Sequence, residues 1–90
     1  MLFRSAVPSA QARVVESENK VREAYQKVEA ANITLATAEL NVARHKQLAQ
    51  QGLVSQRELE LTIQSALATK ADLAGAQAGL TGAEIGRAHV

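Results

Sequence analysis

Val7, Val14, Val21, Val28, Leu35, Val42 and Ala49 recur every seven residues, and after a short break Leu59, Ala66, Leu73 and Leu80 do the same. An apolar residue at every seventh position is the seam of a coiled coil. Ala10, Ala24, Ala31 and Ala38 stand three residues further on in the first series, with Ser17 and His45 as the polar exceptions. The two series mirror each other about Val54. Ala49 and Leu59 are equidistant from it, as are Val42 and Ala66, Leu35 and Leu73, and Val28 and Leu80. A chain that reverses there stacks four apolar layers in register. The predicted fold class is all-α: an antiparallel two-helix coiled-coil hairpin. A helix-turn-helix that reads DNA is the rival at this level. It crosses its helices steeply and needs a third helix for a core, so the registered layers favour the hairpin.

The residues around the mirror point carry their own turn chemistry. Gly52 follows a long apolar-periodic run and suits the left-handed residue that ends a helix. With Gly52 in that role, Leu53 folds back onto Leu48, the apolar contact that goes with this ending. Ser55 and Glu58 form S-x-x-E, a capping box, with Val54 and Leu59 placed as its hydrophobic staple. The expected layout is a helix over about 8–51, a tip at 52–55 and a second helix over about 56–83. Pro8 is acceptable in a first helical turn. Glu16/Lys20, Glu18/Arg22 and Glu23/Lys27 stand in the favourable i,i+4 order, although a simple solvated face is the better reading of them. Gly75, Gly79 and Gly82 loosen the end of the second helix. Gly75-x3-Gly79 matches a membrane packing motif, but the helix is too polar for lipid, and close helix packing is the better explanation.

Both ends of the chain read as foreign. Leu2-Phe3-Arg4-Ser5 can be encoded by CTC TTC CGA TCT, and the reverse complement fits inside codons for Glu84-Ile85-Gly86-Arg87. Ends that mirror each other in nucleotide space point to a translated sequencing adapter. Residues 1–5 and 84–90 are therefore set aside as adapter-derived scars, leaving Ala6 to Ala83 as the natural segment.

That exclusion sharpens the charge argument. The whole chain has net charge +1, from ten Lys and Arg against nine Asp and Glu. Without Arg4, Arg87 and Glu84, eight of each remain, and Tyr25 is the one aromatic left. No basic stripe or stacking platform survives, which argues against nucleic acid as a partner. With no cysteine there is neither a disulfide framework nor a thiolate metal site. His45 is the only histidine of the natural segment, so no metal cluster or catalytic triad can assemble around it. Glu58 is engaged by the cap, and Glu60 points to a different helix face. No Gly-rich phosphate loop occurs. The expectation is a protein segment that is no enzyme and carries no cofactor.

The element also reads as incomplete. Small residues fill most of the seam, so each layer removes little apolar area from water. The first helix outruns its partner, because Val14 and Val21 pair with positions near or past the end of the natural segment. Two such helices rarely supply a sufficient core. The isolated chain is expected to be marginally stable and partly helical in water, a fragment of a larger multidomain protein.

Leu40-Asn-Val-Ala-Arg44-His-Lys-Gln-Leu48, followed by Gly52-Leu-Val-Ser55-Gln-Arg-Glu58-Leu59 and an Ala-rich return, resembles the α-helical hairpin of the membrane fusion proteins. These are the periplasmic adaptor subunits (HlyD type) of tripartite efflux pumps and type I secretion systems. The likeness covers nearly all of the natural segment. Its most specific part is the spacing R-x3-L-x6-S, borne by Arg44, Leu48 and Ser55. The resemblance implies a periplasmic protein attached to the inner membrane when full-length. It implies a hairpin tip that docks onto a TolC-like outer-membrane channel, and an assembly of six adaptors. Contact with an inner-membrane transporter would run through parts outside this chain. On this view Arg44 offers its guanidinium fork to the channel's carbonyls or carboxylates. Leu48, four residues on, shares that face as an apolar anchor. Ser55 hydrogen-bonds across the tip. Each has a plainer alternative: an exposed helix charge for Arg44, the turn's apolar contact for Leu48, the cap alone for Ser55. His45 is better read as a half-exposed seam residue than as a pH sensor. The competing function is a generic coiled-coil scaffold without a channel partner.

Overall fold

A computed structural model describes residues 2–88, with side chains from Ala10 onward. Two helices account for nearly all of it: α1, Leu2–Gln50, and α2, Gln56–Ala88. They fold back on each other as an antiparallel hairpin with principal extents of 76 × 14 × 14 Å. No helix among the described residues is long and apolar enough to cross a membrane.

α1 is long because nothing between Val14 and Gln50 stops it. The stretch with the weakest helical propensity, Asn32-Ile33-Thr34, is carried through. Thr34 and Thr37 donate their hydroxyls to the carbonyls of Ala30 and Ile33 at 3.0 and 3.1 Å, so neither competes for the helix's own amides. Both outer helix limits exceed the sequence expectation. α1 begins at Leu2 rather than near Pro8, and the helix runs through the proline. α2 continues to Ala88 rather than stopping near Ala83. A helical glycine costs about 1 kcal/mol relative to alanine, which weakens a helix without terminating it. Both helices thus run through the borders of the segments read as adapter-derived. Met1, His89 and Val90 of those segments lie outside the described residues, as does the side chain of Val7.

The seam falls where the heptads place it. From Ser17 to Ala49 every position of both α1 rows is half-buried, and so are Leu59, Ala66, Leu73 and Leu80 on α2. A second α2 row, Thr62, Thr69, Ala76 and Ala83, completes the contact. Two of its members are polar. Thr62 and Thr69 donate to the carbonyls of Glu58 and Ser65 at 2.9 and 3.0 Å, so their hydroxyls enter the seam already satisfied. Leu35, Val42, Ile63, Ala66 and Leu67 line one shallow groove between the helices, and Arg87 lines another with Val21. Both groupings agree with a pivot at Val54. Val14 departs from the seam: it is 43% exposed, because α2 ends before reaching its level.

The hairpin has no interior. Among the described residues none is fully buried, apolar or polar. Of the three ion pairs marked by spacing, the structure shows one, Glu16–Lys20 at 3.6 Å, with both side chains about two-thirds exposed. Pairs of this kind contribute only about 0.3–0.5 kcal/mol.

Candidate functional site: the hairpin tip

The tip is built by two sets of backbone hydrogen bonds that meet at Leu53 and Val54. At the end of α1, the Leu53 amide donates to the Leu48 carbonyl at 2.9 Å, and the Gly52 amide to the Ala49 carbonyl at 3.0 Å. This nested pair is a Schellman motif. It requires a left-handed residue, which Gly52 supplies at φ +74°. The Gln51 amide is shared between the carbonyls of Gln47 and Leu48, both at 3.2 Å. The orphan carbonyls of the helix end are largely satisfied this way, without help from any partner.

At the start of α2, the Glu58 amide donates to the Ser55 Oγ at 3.1 Å, and the Leu59 amide to the Ser55 carbonyl at 3.1 Å. Ser55 is therefore the N-cap. The structure shows this one of the two bonds of a capping box. Glu58 lies in the first turn, where its charge is favoured by the helix dipole. Val54 and Leu59 are both half-buried, as a hydrophobic staple requires.

One expectation about the turn needs correcting. Leu53 was to fold back onto Leu48, but Leu53 is 68% exposed. The backbone motif forms without burying its usual apolar partner. Leu48, on the edge of the seam, is half-buried. The tip thus presents an unshielded leucine at its apex.

Arg44 stands one turn before Leu48 and is exposed. It makes no ion pair among the described residues. The last turn of α1 contains no basic residue, so Arg44 lies beyond the reach of the helix-end dipole. Ser55 is exposed, and its hydroxyl hydrogen is free to donate outward while its oxygen caps the helix. Arg44, Leu48, Leu53 and Ser55 are gathered at one end of a long rod, with Gly52, Val54 and Glu58 holding the turn beneath them.

His45 sits in the seam, half-buried, and its Nδ1 donates to the Asn41 carbonyl at 2.8 Å. That bond satisfies one ring nitrogen within the helix. No group of three or more potential metal ligands occurs among the described residues.

Two features escaped the sequence reading. Ile33 and Leu40 are 69% and 64% exposed on the outer side of α1. Their spacing of seven, off the seam, was the signal. The second concerns Gly75, Gly79 and Gly82. A Cβ added at any of them would meet nothing within 4 Å. Close packing inside the hairpin therefore does not account for them.

No family model, curated protein or solved structure matches this chain.

Proposed function

We propose that this hairpin is the channel-docking element of a periplasmic adaptor subunit in a tripartite efflux pump or type I secretion system. Its tip would meet the helical tip of a TolC-like outer-membrane channel. The full-length protein would sit in the periplasm, attached to the inner membrane, and act as one of several copies around the conduit. The hairpin moves no substrate itself; it bridges the transporter and the channel.

Arg44 is the observation that carries this reading. Folding explains Gly52 and Ser55, whereas no ion pair among the described residues uses the Arg44 guanidinium. A planar five-donor cation held near the end of a rigid rod suits bidentate capture of carboxylates or carbonyls. Leu53 and Leu48 beside it offer a small apolar anchor of the kind that interface centres use.

The test is co-purification of a TolC-like channel with the full-length adaptor. Arg44→Asp should abolish retention while leaving helicity and self-association unchanged. Undiminished retention by Arg44→Asp would instead favour a coiled-coil scaffold that has no channel partner.

A further inference from the structure

We propose that Leu61, on α2, is a further contact residue of the tip, and that the channel is gripped from one side of the hairpin, the side that carries Arg44, Leu48 and Leu61. The proposal rests on the docking reading of the tip and adds to it a residue and a direction of approach.

The grooves between the helices tell the two sides of the rod apart. One is lined by Glu23, Lys27, Gly75 and Gly79, beside the seam residues Ala24 and Ala76. Another is lined by Glu39, Ile63, Leu67 and Lys70, beside the seam residues Leu35 and Ala66. The two grooves flank different seam rows and so lie on opposite sides. In a coiled coil, residues seven apart form one row along one side. Counting by sevens from Glu23 and Lys27 reaches Arg44 and Leu48. Counting by sevens from Gly75 and Gly79 toward the tip reaches Leu61 and Glu58. All four therefore share the glycine side. The reversal of the chain brings Leu61 level with the turn of α1 that holds Arg44 and Leu48.

Composition along that side singles Leu61 out. Between the groove and the tip its rows hold Ala, Thr, Asn, Ser and Asp, but no large apolar side chain. Leucine enters only at the distal end, as Leu48 and the 53% exposed Leu61, with Leu53 at the apex beyond them. Apolar side chains confined to one end of an otherwise polar side form a patch, unlike leucines scattered singly over a surface. Charge sets the patch's orientation. Arg44 is exposed and makes no ion pair among the described residues, although Glu58 shares its side. The partner that fits is a helical tip with an apolar side chain for Leu48 and Leu61 and a carboxylate or carbonyl for Arg44. Glu58 repels a second carboxylate, which fixes the way round that the partner sits. Leu67 is more exposed than Leu61, at 60%, but stands on the opposite side.

The test is retention of a TolC-like channel by the full-length adaptor carrying Arg44→Asp, Leu61→Gln or Leu67→Gln. All three side chains are exposed and glutamine is a good helix former, so helicity should not change. Leu61→Gln should weaken retention on the order of tenfold, the size expected when an apolar anchor is lost from an interface. Leu67→Gln should leave it unchanged. Added salt should weaken the Leu61→Gln complex as steeply as the native one, whereas Arg44→Ala should flatten that dependence. Full retention by Leu61→Gln, with Arg44→Asp still defective, would overturn this proposal and leave tip docking standing. A loss confined to Leu61→Gln would uphold Leu61 and overturn the role given to Arg44. Full retention by both variants would overturn both, and equal losses at Leu61 and Leu67 would overturn the one-sided approach.

Discussion

The tip and the base of this hairpin are built by opposite means. At the tip, local chemistry closes nearly every account. Gly52 supplies the positive φ, Leu48 and Ala49 receive the returning amides, and Ser55 caps the helix that follows. At the base the seam thins to Ser17, Ala24, Ala76 and Ala83, and one exposed ion pair is the only one present among the described residues. The contrast is sharpest in the glycines. Gly52 is there because the backbone needs it; Gly75, Gly79 and Gly82 stand in open helix, where this chain gains nothing from them. A region that explains itself defines the reversal. The base is held by small seam residues instead, and its helical glycines stand in open space.

The comparison can be broken in three ways, each read as the shift in urea midpoint of the far-ultraviolet helical signal in the cold. Gly52→Val should have the largest effect, a loss of about 2 kcal/mol, because a β-branched residue is forced into the left-handed region. Ser55→Ala should cost about 1 kcal/mol by removing the cap, with Ser55→Asp restoring most of it. Gly75→Ala should have the smallest effect and the opposite sign, a gain of about 0.5–1 kcal/mol, since its Cβ meets no atom. A loss at Gly75 as large as that at Ser55 would erase the distinction between the two regions.

Much of this fold was legible in the heptads. The seam positions, the pivot at Val54 and the turn residues follow from spacing and from the few conformations open to glycine and serine at helix ends. Helix limits were less legible, because the glycines of α2 are weak stop signals and α1 is helical on both sides of Pro8. Leu53 was misplaced because a Schellman motif is fixed by backbone bonds, and its apolar contact is an accompaniment rather than a requirement. One of the three i,i+4 spacings forms an ion pair, in keeping with a solvated face, because flexible exposed side chains lose entropy when they pair. Ile33 and Leu40 share the seven-residue period of the seam, so spacing alone does not mark them as a separate exposed row. In the candidate site, the turn residues were readable from sequence. The isolation of Arg44 required the structure, since sequence alone does not show whether an arginine has found a carboxylate.

The most direct test is photo-cross-linking from each end of the rod in the full-length protein, with a TolC-like channel present. A photoreactive residue placed at the exposed Gln51 should form an adduct with the channel, and one at the exposed Asn19 should not. Channel adducts from Asn19 but not from Gln51 would contradict the docking of this tip.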